Sequence, residues 1–453
     1  MRNKRRLLFV ICITVFFSFH RAIQKLFLSE KKYTSIRIKK VKRVNEHTME
    51  TYTRQTHVSI TRLDTHTAEY KFPPFLQINR KVNCRKIIEG DEEEIAKANR
   101  YMKLNQPKRI TEDDYITITN NCNNFANRFG YNAYTVMEEE REFPIAFSIL
   151  TFKDVDQTER LLRSIYRPHN FYCIHIDNSS SEELNKSLRK IANCLSNVFI
   201  VSKTVDVIYD HVSRLRADIY CMTDLLSKSN KWKYFINLPH QQFPLKTNLE
   251  MVKILKIYNG ANDIEGITNR PRLLSNRFKY SYKYINHTLK RIGLKKEKLP
   301  YNANIVKGSA YGIFSREFVK YVIFDEKPKA VLKYMEDFRS PDEYYWATLN
   351  HNEVLKAPGR FKGNPEKKPW LAVYASWPPR DRCRGKIVRY ICIYGVGDLN
   401  ELISRKELFA NKFYPDYQYL ALDCLEEYIH NKTLSPLPFD SFYYRQLPFI
   451  RKP

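Results

Sequence analysis

Glycine is scarce in this sequence. Its 12 glycines and 21 prolines in 453 residues exclude collagen-like and low-complexity architectures. No cysteine pair has the Cys-x-x-Cys spacing of a zinc or redox site. No Gly-x-Gly-x-x-Gly or Walker loop opens the first helix of the α/β pattern described below, so a glycine cradle for phosphates is missing. Acids are too few to balance the bases: 77 Lys+Arg less 49 Asp+Glu leaves +28. That surplus suits anionic partners, whether nucleic acid, membrane head groups or phosphate-bearing ligands. No zinc-finger, RNP or basic-zipper pattern accompanies it, and much of it sits in Lys31–Arg62 and Arg270–Lys298, which read as solvated faces. What is present is a 43% hydrophobic, 14% aromatic composition. It supplies a substantial core and excludes a wholly disordered chain.

The N-terminus suggests a compartment. MRNKRR precedes the uncharged run Leu7–Phe19, which reaches membrane-spanning length through Ala22, Ile23 and Leu26 if Arg21 and Lys25 snorkel. No small-x-small cleavage site follows, so the reading is an uncleaved signal-anchor over 7–27, with 1–6 cytosolic and the rest lumenal. A buried core helix is the bland alternative. Residues 28–80 are polar and basic with no apolar period, as in a stem, and 81–453 form the lumenal domain. Asn178, Asn185, Asn286 and Asn431 begin Asn-x-Ser/Thr sequons. Outside the apolar run eight cysteines remain, Cys84, Cys122, Cys173, Cys194, Cys221, Cys383, Cys392 and Cys424. An even number in an oxidising lumen favours four structural disulfides over scattered core thiols.

From Phe143 the pattern turns α/β. Strand-length apolar runs at 145–152, 171–177, 198–203 and 233–238 alternate with helical stretches at Thr158–Tyr166, Ser181–Cys194 and Arg214–Leu226. Such βαβ units predict a mostly parallel central sheet buried on both faces. Ligands then sit at the strands' carboxyl ends, which singles out Thr151, Phe152 and Asp177.

Three later segments carry candidate chemistry. RSPDEYYWAT (339–348) sets Asp342 and Glu343 beside Trp346 behind Pro341; a carboxylate partly desolvated by aromatics can serve as a general base. Its bland alternative is an acid complementing a helix N-terminus. VRYICIYGVGDLNEL (388–402) reads as a strand with Arg389 near its start, ending in a glycine-containing turn. ELFANKF (407–413) places Lys412 in a helical stretch.

The SPDE–WAT segment, KGSAYGIFSREFVKYV (307–322), YGVGDLNEL…LFANKF, NFYCIHID (170–177), FPIAF, WKYFINL and FPLKTNLEMV (243–252) together resemble the core-2/I-branching β-1,6-N-acetylglucosaminyltransferase family, from about Cys84 to Tyr428. The resemblance implies a single-pass type II Golgi membrane glycoprotein with a GT-A-like fold. Its expected partners are a UDP-sugar donor, an O-glycan acceptor on glycoproteins and the membrane, with a second copy of the chain as a further candidate and no nucleic acid. It also implies an inverting reaction without a divalent metal or other cofactor. Motif by motif, it assigns the catalytic base to Glu343 and the donor diphosphate to Arg389 and Lys412. Leu150, Thr151, Phe152, Asp177 and Tyr209 would line the nucleoside and sugar pocket, and Glu265, Arg277 and Trp370 the acceptor side. The cationic pair answers a physical demand, because departing UDP accumulates negative charge that must be stabilised. Asp154-Val-Asp156 has the form of a metal motif but follows the first strand, where the family has none, and reads as helix-N-terminal acids.

The family's disulfide pattern implies Cys84–Cys424, Cys122–Cys194, Cys173–Cys221 and Cys383–Cys392. The chain departs from the family at Asn178 and Ser179, where basic residues are usual. Leu274 stands in place of a lysine, Phe278 in place of a tryptophan, and the nearest counterpart of an acceptor-side tyrosine is Tyr374. The expected activity is β-1,6 transfer of N-acetylglucosamine to an O-glycan core. Alternatives are another donor such as UDP-glucose or UDP-xylose, the latter as in the related peptide O-xylosyltransferases, and a lumenal carbohydrate-binding protein without catalysis.

Overall fold

A five-stranded sheet organises the chain. The computed structural model describes residues 81–106, 109–268, 276–286, 288–295 and 298–450. The expected tail, anchor and stem (1–80) lie outside the described residues, and no described helix is long and apolar enough to cross a membrane.

The apolar runs become β1 (Ile145–Thr151), β2 (Phe171–Ile176), β3 (Val198–Ile200) and β4 (Tyr234–Pro239); β5 (Ile313–Ser315) closes the sheet. The order is β3-β2-β1-β4-β5, with the first four strands parallel and β5 antiparallel to β4. The crossovers are α1 (Val155–Ile165), α2 (Glu182–Asn193) and α3 (Ser213–Lys228). The first of these begins three residues earlier than its apolar pattern suggests. Asp154 supplies the reason: its carboxylate accepts the Gln157 N–H at 3.0 Å and caps the helix. Ser181 caps α2 in the same way.

The burial pattern of β1 shows why it carries no polar alternation. Phe147 and Ile149 enter one core with Leu161, Leu188 and Ile254, whereas Ala146 enters the opposite core with Leu215, Phe314 and Trp346. Both faces are therefore covered, as parallel sheets require. Phe147 stacks on Tyr172 of β2 at 5.4 Å between ring centroids, and each such fully buried aromatic contributes about 2–3 kcal/mol of burial free energy.

A third apolar cluster joins the helix Cys84–Glu89 to α4 (Pro415–Leu434). All four disulfides follow the pairing implied by the resemblance: Cys84–Cys424, Cys122–Cys194, Cys173–Cys221 and Cys383–Cys392. They tie the helix Cys84–Glu89 to α4, the helix that begins at Cys122 to the end of α2, and β2 to α3, and they close the segment of the Lys386–Ile393 hairpin on itself.

Two local expectations need correction. Residues 407–413 contain no helix: Phe409–Asn411 is a strand, antiparallel to Gln242–Pro244 and parallel to Val373–Tyr374, with Lys412 following it. A seven-residue segment has no helical stability of its own, and two neighbouring strands offer its backbone partners. Arg389 does not begin a strand. Lys386–Val388 and Ile391–Ile393 form an antiparallel hairpin, and Arg389 and Tyr390 are its two turn residues. Their φ angles of 50° and 66° have the signs that a two-residue hairpin turn favours.

Candidate active site

The carboxyl edge of the parallel strands is where chemistry gathers. At the end of β1, Leu150 is buried and its carbonyl accepts the His240 N–H at 3.0 Å. The Thr151 hydroxyl is bonded within the fold, 2.9 Å from Thr158 Oγ1 and 3.1 Å from the Lys153 carbonyl. Phe152 alone of the three offers an open ring, 51% exposed, edge-on to His240 at 5.2 Å. Asp177 follows β2. Its Oδ1 accepts from Ser179 N and Oγ at 2.9 and 2.8 Å, and its Oδ2 accepts from Val207 N at 3.1 Å. It thereby holds the 201–212 loop, on which Tyr209 stands 74% exposed.

The two expected diphosphate cations approach this edge from other elements. Arg389, on its left-handed turn, lies with Cζ 5.7 Å from the Tyr209 ring centroid. A non-glycine residue in that conformation costs about 1–2 kcal/mol, which the disulfide-tied hairpin must offset. Lys412 is fixed through its carbonyl, which accepts the Tyr394 N–H at 3.0 Å, and its Nζ lies 5.3 Å from the Tyr414 ring centroid. Lys386 of the Arg389 hairpin faces the same ring at 5.9 Å. Burial pushes His240 down to about 4, with Lys153 and Lys412 adding to the effect against Asp154, so the imidazole among these charges is neutral.

Glu343 reaches the rim from the second position of the helix Asp342–His351. Its Oε2 accepts from Arg277 Nη1 at 2.6 Å and lies 3.7 Å from Lys307 Nζ, with the side chain 32% exposed. The start of this helix is held firmly. Ser340 N and Oγ donate to the Asp210 carbonyl and Oδ1 at 2.6 and 2.5 Å, and Arg339 Nε donates to Asp210 Oδ2 at 2.8 Å. Tyr209 and Asp210 thus link the Arg389 turn to the Glu343 helix. Gly308 presses against the other side: its N–H donates to the Glu343 carbonyl at 2.6 Å, and a Cβ there would stand 2.4 Å from the Glu265 carbonyl oxygen.

The expected effect of Trp346 on these carboxylates does not arise. Trp346 is fully buried and packs on Phe314 at 5.0 Å, facing the core instead of the site. Asp342 is the carboxyl that burial raises, to about 7, with Arg214 opposing and Glu343 reinforcing the shift.

On the side expected to take the acceptor, burial raises the Glu265 carboxyl, Lys307 opposes the rise, and Glu343 adds to it, which places the three charges within mutual reach. Arg380 also acts on Glu265. Trp370 is half-buried beside Lys368 and Leu371, both bonded to Asp263 two residues before Glu265. Phe278, next to Arg277, meets Tyr344 and Phe338 at 5.6 and 6.2 Å. Tyr374 turns away from any open surface, its hydroxyl bonded to Glu401 at 2.9 Å. The sequence reading did not single out Lys307, Asp210, His240 or Arg380. Lys307 opens the segment 307–322, but no charge pattern marks it.

Asp154 and Asp156 do not form an open pair, since Arg109 is ion-paired with Asp154 and lies 4.0 Å from Asp156. Cys383, Cys392 and Asp398 converge, but the two sulfurs are joined and Asp398 accepts from the backbone N–H groups of Arg384 and Gly395. Among the sequons, Asn286 occupies the exposed turn of the Tyr280–Lys295 hairpin, and Asn178 and Asn431 are exposed. Asn185 is half-buried, and the hydroxyl of its Ser187 is bonded to the Leu184 carbonyl.

An α/β sheet with a paired carboxylate and separate cations on one rim is the layout of a group-transfer enzyme. The chain belongs to the core-2/I-branching enzyme family, whose model matches residues 145–403. It is similar to the human beta-1,3-galactosyl-O-glycosyl-glycoprotein beta-1,6-N-acetylglucosaminyltransferase, with 39% identity over 372 residues, 79% of this chain and 86% of the relative. The human protein of that name numbered 3 is 36% identical over 79% of this chain and 85% of its own length. A Bovine herpesvirus 4 protein of the same name is also 36% identical, over 79% and 84%.

Proposed function

We propose that this chain is an inverting glycosyltransferase of GT-A-like fold that transfers N-acetylglucosamine from UDP-N-acetylglucosamine to an O-glycan core in β-1,6 linkage, without a divalent metal. The observation that carries the reading is the placement of Glu343, held by Arg277 and Lys307, on a rim linked through Asp210 and Tyr209 to the turn of Arg389. The names of the relatives supply the transferred sugar and linkage.

In this reading the acceptor's primary hydroxyl oxygen attacks C1 of the donor sugar from the face opposite UDP. Glu343 takes the hydroxyl proton, the C1–oxygen bond to the diphosphate breaks, and its electron pair leaves with UDP. Arg389 and Lys412 stabilise that negative charge. One displacement with no enzyme nucleophile inverts an α-linked donor to a β-linked product. The Arg277 hydrogen bond at 2.6 Å orients the Glu343 carboxylate, a charge-assisted contact of the stronger kind. Glu265, Arg277 and Trp370 bind the acceptor, and the surface near Phe152, Asp177 and Tyr209 receives the nucleoside. The protein acts in the Golgi lumen, anchored by residues 7–27.

A panel of UDP-sugars against core-1 and core-3 acceptors, with linkage analysis and an EDTA arm, tests the donor, the acceptor, the linkage and the independence of metal. Strict manganese dependence, or a donor other than UDP-N-acetylglucosamine, overturns the corresponding part.

A further inference from the structure

The hairpin of Tyr280–Ile285 and Thr288–Lys295 places Arg291 over its own Tyr280 ring at 4.5 Å, but its Lys283 and Lys290 do nothing for its folding. From Arg270 to Lys298 the chain has ten basic residues and one acid, Glu297. Lys283 and Lys290 face each other as a cross-strand pair, and both are exposed, as are Lys279 and Arg291. Like charges directly opposite one another destabilise a ribbon. Among the described residues none of these four forms an ion pair with an acid. A local rule broken without a structural return marks a surface shaped for something else.

Its position says what. The base of the hairpin is tied to the segment that carries Glu343. Tyr282 N donates to the Asp337 carbonyl at 2.8 Å, and Arg339 N donates to the Arg277 carbonyl at 2.9 Å. The Tyr282 hydroxyl is bonded to the Asn276 carbonyl at 2.7 Å, and the Tyr284 ring meets His211 at 6.2 Å. Arg277, immediately before the hairpin, touches Glu343 itself. The six residues Tyr280–Ile285 span roughly 20 Å, enough to run beside several residues of an extended peptide.

We propose that this hairpin is a docking surface for an acidic polypeptide segment, rich in Asp and Glu, flanking the glycan on the acceptor protein. The inference rests on the functional reading above and names the acceptor class it favours. A bilayer bound to the same face would lie against the segment that holds Glu343, which argues for a polypeptide partner over a lipid one.

The test uses the full-length enzyme and one core-1 disaccharide, offered free and on peptides flanked by Asp/Glu, by Ser/Ala or by Lys. The acidic glycopeptide should be used with a kcat/KM about tenfold above the neutral one at low salt, a preference that fades at about 0.5 M salt. The double variant Lys283→Ser, Lys290→Ser should lose that preference, keep its turnover of the free disaccharide and melt no earlier than the wild type. Equal use of acidic and neutral peptides by the wild type, or a preference that persists in the double variant, overturns the proposal. So does binding to anionic phospholipid vesicles that the double variant loses in the absence of any peptide preference. Failure to act on the free disaccharide instead overturns the functional reading, and this inference with it.

Discussion

Two groups of charges in this molecule are arranged in opposite ways. Between α1 and α4, Arg160, Arg163, Glu159, Asp423 and Glu426 are answered within the fold. Arg163 donates to Glu159 at 3.0 Å and Glu426 at 2.6 Å; Arg160 donates to Asp423 at 2.8 Å and Glu426 at 2.7 Å. The hydroxyls of Tyr115 and Tyr131 complete Glu159. Burial opposes it, yet the two arginines hold Glu426 below the usual carboxylate range, while burial wins at Glu159 and pushes it up to about 7. On the rim proposed to take the donor, Arg389 and Lys412 face tyrosine rings and form no ion pair with a described residue. Charges that fold a protein are paired when the chain is alone. Charges that bind keep their partner's place open for a ligand.

Substitutions on each side can break that contrast. The largest effect belongs to Glu343→Gln, which should lower transfer by about 10²–10⁴ while leaving UDP titrations unchanged, because only proton removal is lost. Retained turnover would remove the base from the mechanism. Arg389→Ala or Lys412→Ala should depress transfer by about 10²–10³ with little change in melting temperature, since neither cation has a protein carboxylate to orphan. Arg163→Ala should do the reverse. It leaves Glu159 with no cationic partner and Glu426 with Arg160 alone, costing about 3–5 kcal/mol in denaturant titrations. If Arg389→Ala destabilised the fold as much as Arg163→Ala, the division between the two groups would fail.

The smallest effect is a pH dependence. Asp342 is raised from 3.8 to about 7, chiefly by burial, so the folded form favours its proton more than the unfolded chain does. Its contribution to stability is therefore present at acid pH and is lost as pH rises from about 4 to about 7. Asp342→Asn should melt progressively higher than the wild type over that window, with Arg214 keeping Asp218 as its partner at 2.6 Å. A constant difference in melting temperature across the window would contradict the burial effect.

Much of the sheet was legible from the chain, because β1 to β4 are buried on both faces and leave uninterrupted apolar runs. The cap at Asp154 was readable only as an acid near a helix start. The site was legible unevenly. Glu343, Arg389 and Lys412 stood out through resemblance, but two of the three were assigned to the wrong local structure. The Lys386–Ile393 hairpin is decided by pairing and by Cys383–Cys392, and Phe409–Asn411 by strands some 35 and 165 residues away in sequence. Arg277, Lys307 and Glu343 meet across gaps that no periodicity spans, and Trp346 turned inward because its helix packs on β5.

By itself, then, the sequence determined where apolar segments would be buried, how many cysteines could pair and which residue types were available for acid–base and cationic roles. These follow from local chemistry and short periodicity. Only the tertiary structure decided which cations keep an open face and which are consumed in ion pairs, and which carboxyl is raised and which is tied to an arginine. Both outcomes depend on distance and burial, which arise when segments remote in sequence are packed together.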